Sequence, residues 1–245
     1  MSGFRESRRR FVQTLFVSAG AVAASLPVRD ARPADASAPA GARREAAAAS
    51  PDRAGTDAAP TVLVLGDSVS AEYGLRRGSG WVELLAERLR AQHPPWSVVN
   101  ASVSGETTAG GRSRIAALLA RHAPRIVVVE LGGNDALRGL DLRATEANLD
   151  TIARAARDAR AAVLLLGMQV PPNYGAPYAD AFAAIYPRVA ERYAAKLVPF
   201  FLAPIAGDTR WFQPDRIHPT EAAQPLLLDV VWPALAPLLR ASVAR

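Results

Sequence analysis

Five short segments, rich in aliphatic and β-branched residues, most constrain what this chain can fold into. They are TVLVLG (61–66), WSVVNAS (96–102), RIVVVELG (125–132), AAVLLLGM (161–168) and KLVPFF (196–201). They are apolar at nearly every position, whereas a strand with one solvated face alternates apolar and polar residues. Continuous apolar runs are typical of strands buried on both faces of a parallel sheet. The pattern therefore predicts a five-stranded parallel sheet.

Longer segments with helical periodicity separate these runs. Apolar residues recur at spacings of three and four residues, which indicates amphipathic helices, around 81–92, 111–122, 144–160, 179–194 and 220–240. Pro124 fits a turn between a helix and a strand, whereas Pro187 is expected to kink or split its helix. Strand and helix alternating five times predict an α/β fold, a three-layer α/β/α sandwich.

Polar turns follow the first three predicted strands. Ser68 follows the first, Gly105 the second and Asn134 the third. In open α/β sheets the ligand crevice lies beyond the carboxyl ends of the strands. These three turns are therefore expected at one edge of the sheet, where a ligand would bind.

The stretch VLGDSVSAEYG places the Ser68 hydroxyl directly after a buried strand. Gly, Asp and Ser are common turn residues, so a nucleophile and an ordinary turn are both compatible with it. A serine nucleophile needs a base and a group that orients the base. His218 lies in the loop PDRIHPT, three residues after Asp215, close enough for a carboxylate to hold one imidazole nitrogen. The other two histidines, His93 and His122, are interpreted as cations that close helices.

Two further groups could stabilise an oxyanion. The backbone amide of Gly105, in ASVSGETTAGG, can approach a substrate because no side chain obstructs it. The Asn134 side chain, in ELGGNDALRG, can donate from a glycine-rich turn. Each signal is weak alone, since Gly-Gly-Asn-Asp would form a turn in many proteins.

Together, the blocks GDSVS, NASVSGETT, GGND and DRIHP resemble those of the GDSL or SGNH hydrolase family over 61–239. The segments VVNASVSGETTAGG, VVVELGGNDALRG and FAAIYPRVA are most similar to its bacterial periplasmic acyl-CoA thioesterases, arylesterases and lysophospholipases. The resemblance implies a flavodoxin-like sandwich and a serine hydrolase acting on ester or thioester bonds without metal or cofactor. It implies that Ser68 is the nucleophile, that Asp215 and His218 complete the triad, and that Ser68, Gly105 and Asn134 form the oxyanion hole.

The same resemblance suggests residues that contact a small acyl substrate: Asp67, Asp135, Leu137, Tyr174 and Tyr178. For the two tyrosines, packing aromatics are an equal alternative. The chain departs from the family pattern twice. Glu72 stands where glycine is frequent in the family. It is expected either to place a carboxylate near the entrance of the site or to be a solvated side chain. Ala136 also replaces a frequent glycine, which removes backbone freedom from its loop.

The N-terminus has the pattern of an export signal. The segment SRRRFVQ, with Arg8 and Arg9 as the pair, resembles the twin-arginine signal, and an apolar run from Phe11 to Leu26 follows it. We predict a signal peptide over 1–36, cleaved after Ala34–Ala36 or near Ala23, with an uncleaved anchor helix as the alternative. Residues 37–59 are predicted to be a flexible Ala/Pro-rich linker, and 60–245 the hydrolase domain of a periplasmic or secreted protein.

The formal net charge of +6 raises the question of a polyanionic partner. Residues 1–36 carry six Arg and three acidic residues, so the remainder has 23 basic and 20 acidic residues, a net +3. A charge this small does not indicate a polyanion, so we expect no nucleic-acid partner. We also expect no stable membrane anchor after cleavage of the signal peptide, and a monomer. The chain has no Cys, which excludes disulfides and thiolate chemistry. Two other functions remain open: a carbohydrate O-acetylesterase acting on exported polysaccharide, and a non-catalytic binding module.

Overall fold

A computed structural model describes residues 59–243, and the predicted signal peptide and most of the predicted linker lie outside them. One sheet contains five strands: β1 (Thr61–Gly66), β2 (Ser97–Asn100), β3 (Ile126–Glu130), β4 (Ala162–Leu166) and β5 (Lys196–Val198). All neighbouring pairs are parallel, in the order β2-β1-β3-β4-β5. The predicted fold class and all five predicted strands are confirmed, with ends trimmed by up to three residues.

Seven α-helices flank the sheet in the described part of the chain. They are α1 (Trp81–Gln92), α2 (Thr108–His122), α3 (Gly133–Leu137), α4 (Leu142–Asp158), α5 (Ala176–Ala183), α6 (Ile185–Tyr193) and α7 (Gln224–Val243). The expected break near Pro187 is confirmed, because α5 and α6 replace the single predicted helix. Pro187 lies in the first turn of α6, where a missing N–H costs no intrahelical hydrogen bond.

Helix α2 begins three residues earlier than the hydrophobic pattern predicts. The Thr107 side chain caps it by accepting a hydrogen bond from the Gly110 N–H (3.4 Å). The Thr108 N–H donates to the carboxylate of Asp135, which lies after another strand (2.9 Å). The cap and this long-range bond satisfy N–H groups in the first turn of α2. The spacing of apolar residues carries no information about such bonds, so it placed the start of the helix too late.

The core fills both sides of the central strands. Residues 62–65 of β1 and 126–129 of β3 are at most 1% exposed. Helices α1 and α7 pack together on one face of the sheet, and α2, α4 and α6 pack on the other. This burial on both faces explains why the strands are apolar at every position.

Helix α7 is long and apolar enough to span a membrane by length and composition alone. Its apolar side chains, however, pack into the core against α1, β4 and β5, and those that are almost fully buried are Leu227, Leu228, Val231, Leu235 and Leu239. We therefore interpret α7 as a core helix.

The topology places a crevice at the end of β1. The chain passes from β1 to β2 on one side and then crosses back to β3 on the other side. The connections diverge on either side of β1, which is the switch point where α/β sheets bind ligands. Ser68 lies two residues beyond the end of β1.

Candidate active site

The structure brings Ser68, His218 and Asp215 into direct contact. Ser68 Oγ lies 2.9 Å from Nε2 of His218, and Nδ1 of the same ring lies 2.7 Å from Oδ2 of Asp215. The other oxygen, Oδ1, accepts hydrogen bonds from the backbone N–H groups of Ile217 (2.9 Å) and His218 (3.0 Å). Both carboxylate oxygens are thus occupied, so the Asp215 side chain is fixed relative to the imidazole.

The surroundings of Asp215 keep it ionised. Partial burial opposes ionisation, but the hydrogen bond with His218 and the N–H bonds from Ile217 and His218 together lower the pKa of Asp215 to about 2. At neutral pH the group is therefore a carboxylate, which can hold the Nδ1 proton and stabilise a charged imidazole.

Gln213 fastens the loop that carries His218. Its backbone N–H donates to the His218 carbonyl (2.7 Å), and its side-chain amide donates to the carbonyls of Tyr73 (2.8 Å) and Pro219 (3.1 Å). The Tyr73 ring packs on the imidazole with centroids 4.3 Å apart. The nucleophile loop and the histidine loop are therefore joined at two points. Sequence reasoning missed Gln213, since a glutamine in a polar loop carries no local signal.

Three donors lie at the same edge of the sheet. Within residues 59–243 the N–H groups of Ser68 and Gly105 have no acceptor. Gly105 has a φ of 77°, a conformation that favours glycine, and its carbonyl accepts from Nη2 of Arg138 (2.9 Å). Nδ2 of Asn134 donates to Oδ2 of Asp67 (3.0 Å), which leaves its second amide hydrogen available. In the described region the two predicted N–H donors therefore have no acceptor, and the predicted Asn134 donor has one amide hydrogen that is not bound to Asp67.

Asp67 and Asp135, which were predicted to contact a substrate, are bound by donors of the protein itself. Both are 2% exposed, and their oxygens accept hydrogen bonds from the protein itself. Asp135 accepts from the N–H and the hydroxyl of Thr108, and so joins α3 to α2. Asp67 accepts from the Val69 N–H (3.0 Å) as well as from Asn134. These contacts make both carboxyl groups part of the framework of the site, while their contact with a substrate stays a prediction.

A second buried carboxyl group, Glu130, lies under the Ser68 turn. Burial raises the pKa of Glu130 well above its usual range, and the charge of Asp67 raises it further. Burial also raises the pKa of Asp67 to about 6, although hydrogen bonds from Val69 and Asn134 oppose the shift. Sequence reasoning missed Glu130. Its signal was a lone acidic residue ending the apolar run IVVVE.

Leu137, Tyr174 and Tyr178 lie close together, next to the segment that carries Asn134. The Tyr174 hydroxyl donates to the Leu137 carbonyl (3.3 Å), and the Tyr178 hydroxyl donates to the Ala136 carbonyl (3.2 Å). The two rings stack with centroids 6.2 Å apart. Their hydroxyls thus hold the segment that carries Asn134, while contact of these residues with a substrate stays a prediction.

Glu72 is half-buried, and its carboxylate is bound by neighbouring backbone. It has a φ of 60°, and its carboxylate accepts from the N–H groups of Gly78 (3.0 Å) and Gly80 (2.8 Å). Gly80 is the N-cap of α1, where an acidic group is favourable. Glu72 therefore closes the loop between the nucleophile turn and α1. Ala136 is fully buried in α3, so its loop is helical.

Several large apolar side chains are exposed in segments that follow the strands. In the described region they are Tyr73, Val103, Leu137, Leu140, Tyr174 and Ile217. Tyr73 packs on the His218 ring, and Ile217 precedes His218 in the chain. Two clefts, of about 600 and 520 Å³, do not include Ser68 or His218. The first lies among basic residues at the opposite edge, where Arg157 donates to the last carbonyl of α6, so we interpret its cations as partners of helix C-termini. Among residues 59–243 no three His, Asp or Glu side chains form a metal-binding group.

Comparison with known proteins gives a consistent set of relatives. A family described as "GDSL-like Lipase/Acylhydrolase family" matches residues 64–225. "Esterase TesA" of Pseudomonas aeruginosa is 52% identical over 182 residues, 74% of this chain and 90% of the relative. "Thioesterase 1/protease 1/lysophospholipase L1" of Escherichia coli K12 is 43% identical over 182 residues, 74% of this chain and 86% of the relative. An "Arylesterase" of Vibrio mimicus is 39% identical over 178 residues, 73% and 89% of the two chains.

Solved structures agree with these relatives. The crystal structure of TesA superposes with a TM-score of 0.71 at 52% identity, covering 73% of this chain and 99% of that one. A psychrotrophic esterase, EstA from Pseudoalteromonas, superposes with a TM-score of 0.70 at 38% identity, covering 74% and 98%. The match therefore extends over nearly the whole length of each relative.

Proposed function

We propose that this chain, which belongs to the GDSL-like lipase/acylhydrolase family, is a serine esterase that forms an acyl-enzyme on Ser68. The observation that carries the proposal is the continuous hydrogen-bond chain from Ser68 through His218 to Asp215. Each member has the role that its contacts allow: hydroxyl nucleophile, imidazole base and orienting carboxylate.

The first half of the reaction is acylation. Nε2 of His218 takes the Ser68 proton while Oγ attacks the carbonyl carbon of an ester or thioester. Asp215 holds the Nδ1 proton and stabilises the imidazolium that forms. Collapse of the tetrahedral intermediate breaks the bond to the leaving group, which takes the proton from His218. A water deprotonated by the same His218 then hydrolyses the acyl-enzyme and frees the Ser68 hydroxyl.

In the tetrahedral intermediate the former carbonyl oxygen carries a negative charge, and hydrogen-bond donors that are already in position stabilise it. We assign this role to the N–H groups of Ser68 and Gly105 and to the Asn134 amide. The two N–H groups have no acceptor within residues 59–243. The Asn134 amide donates one hydrogen to Asp67, which leaves the second hydrogen for the substrate. Loss of one such donor typically costs 10²–10³-fold in kcat.

We propose acyl esters and thioesters with an apolar chain as the substrate class. The exposed apolar residues in segments that follow the strands, including Val103, Leu137 and Ile217, offer such a chain a surface from which water is displaced. Relatives at 39–52% identity are named esterase, thioesterase, lysophospholipase and arylesterase. A carbohydrate O-acetylesterase is the second candidate. The acetylxylan esterase with a similar fold is only 20% identical and supports the fold alone.

The test uses purified protein and p-nitrophenyl esters of graded chain length. We expect Ser68→Ala and His218→Ala to lose activity by about 10⁴-fold or more, whereas His122→Ala, at the end of α2, should remain active. Full activity in both triad variants would refute the proposal. A preference for acetylated sugars over medium-chain esters would favour the acetylesterase. A folded wild-type protein that a fluorophosphonate probe leaves unlabelled at Ser68 would favour a binding module.

We further propose that the protein is exported by its twin-arginine segment and acts as a monomer outside the cytoplasm. Support comes from the pair Arg8 and Arg9 followed by an apolar run too short for a typical membrane span of about 20 residues. Replacing both with Lys should retain the protein in the cytoplasm, and cell fractionation measures this. Unchanged export would contradict the assignment.

A further inference from the structure

A buried carboxyl group that takes part in no step of the proposed reaction lies directly below the nucleophile turn. Glu130 ends β3, is fully buried and pairs with Gly66 in the register of β1 and β3. Its Oε2 accepts hydrogen bonds from Ser70 Oγ (2.8 Å) and from the Asp67 N–H (3.2 Å). Its Oε1 is equally buried, and no group within residues 59–243 donates to it.

A negative charge on Glu130 would have no compensation. No ion pair in the described region includes Glu130. Among the described residues outside the pair, His218 acts electrostatically on Asp67, and both carboxyl groups act on Tyr186 of α6. Neither His218 nor Tyr186 is a permanent cation. An uncompensated buried charge is strongly unfavourable, and two adjacent carboxyl groups in such a site do not both ionise.

The surrounding donors decide which member of the pair carries the proton. Asp67 receives donors on both oxygens, from Val69 and Asn134, as a carboxylate does. The Ser70 hydroxyl accepts from Nε1 of Trp81 (3.1 Å), so its single hydrogen goes to Glu130. Of the four carboxyl oxygens, Glu130 Oε1 alone has no donor in the described region. The bond from the Asp67 N–H to Oε2 makes the two residues neighbours, so one proton on Oε1 neutralises Glu130 and leaves the charge on Asp67.

We infer that Glu130 is a positioning residue for the oxyanion hole, held as the neutral acid and donating its proton to Asp67. Through Oε2 it fixes the backbone that presents the Ser68 N–H. Through Asp67 it keeps an acceptor in place for Asn134, so that the second amide hydrogen points to the substrate. The inference rests on the proposed function, since it assigns a purpose to donors that act only in acyl transfer.

The protonation state is testable without any activity measurement. Infrared spectroscopy at neutral pH, with carbon-13 labelling of glutamate, should show a protonated carboxyl band in wild type. Glu130→Gln should remove the band. Glu146→Gln, which changes a carboxylate in a surface ion pair with Arg188, should retain it. A wild-type spectrum without the band, or a band that survives Glu130→Gln, would overturn the inference.

The positioning role is tested by two variants of similar size. Gln can accept from Ser70 and the Asp67 N–H through its oxygen and donate to Asp67 through its amide, so Glu130→Gln should keep kcat within about threefold of wild type. Glu130→Met can do neither and should lose at least about tenfold in kcat with KM little changed, because oxyanion donors act in the transition state. Equal loss in both variants would overturn the positioning role.

The outcomes separate this inference from the proposed function. Thermal unfolding shows whether each variant is folded, and the infrared comparison of wild type with Glu130→Gln remains decisive if Glu130→Met is not. If Ser68→Ala is inactive and the band is absent, the proposed function stands and the inference fails. If Ser68→Ala is fully active and the band is present, the neutral acid stands while its role in the oxyanion hole fails with the function.

Discussion

Replacing Asp215 with Asn should leave the loop intact but prevent His218 from acting as the base. The remaining oxygen can still accept from the N–H groups of Ile217 and His218, as Oδ1 does now. The new amide nitrogen, however, takes the place of Oδ2, 2.7 Å from Nδ1 of the imidazole. Because an amide N–H donates, the ring must accept at Nδ1 and carry its hydrogen on Nε2. That hydrogen then faces the Ser68 hydroxyl, which can no longer give up its own.

The magnitude follows from the loss of the correct tautomer. A wrong tautomer in a triad of this kind costs about 10⁴-fold in kcat, or about 5 kcal/mol of transition-state stabilisation. The assay is steady-state hydrolysis of p-nitrophenyl butyrate, with thermal unfolding as the check on folding. Asp208→Asn is the matched control, since Asp208 also accepts an N–H two residues on and lies away from Ser68. A folded Asp215→Asn enzyme that loses less than about tenfold in kcat would refute the reasoning.

Three further predictions concern the framework. Gly132→Ala should lower the free energy of unfolding, measured by chemical denaturation, by about 3 kcal/mol, because the residue has a φ of 115° and its Cβ would lie 2.4 Å from the buried Tyr186 hydroxyl. The control Gly139→Ala, with a φ of 65° and open space around it, should lower it by about 1 kcal/mol. Equal losses in the two variants would contradict the steric argument. Gln213→Ala should lower kcat about tenfold at little cost in stability, since two side-chain hydrogen bonds that hold the histidine loop are lost; unchanged kinetics would show that the loop is held by other contacts. The pKa of Asp215 is about 2 in the folded protein against about 3.9 in an unfolded chain, so ionised Asp215 contributes stability above pH 4 that is lost as the pH falls from about 4 towards 2. The melting temperature of Asp215→Asn should therefore fall less steeply over this pH range than that of the wild type. Identical slopes would argue against the lowered pKa.

The features that periodicity encodes were predictable from the sequence. Strands buried on both faces must be apolar throughout, so β1 and β3 were evident as continuous runs. The alternation of strand and helix then required a layered parallel sheet. Because all strands point the same way, Ser68, Gly105 and Asn134 had to lie at one edge. Asp215 and His218, only three residues apart, were recognisable as a pair from their spacing.

The features that depend on individual long-range hydrogen bonds were not predictable. The bond between Gln213 and the Tyr73 carbonyl joins residues 140 positions apart, and a backbone acceptor leaves no mark in the sequence. The contacts of Glu72 were not predicted because its partners are the N–H groups of Gly78 and Gly80, and every residue except proline has such a group. The hydrogen bonds of Asp67 and Asp135 within the protein were not predicted because burial of a carboxyl group is set by the packed fold. Local patterns report periodicity and propensity, whereas these contacts exist only once the sheet has formed.

The two hydrogen bonds of the His218 ring differ greatly in sequence separation, and this has a consequence for folding kinetics. The bond to Asp215 spans three residues, whereas the bond to Ser68 spans 150. Contacts between distant residues carry the larger cost of loop closure and form late, while local ones form early. During refolding, the acid–base pair can assemble in a chain whose sheet is incomplete, but the nucleophile meets its base only when β1 and the final loop have both docked. Recovery of esterase activity should therefore lag behind the recovery of helical circular dichroism and report completion of the whole domain.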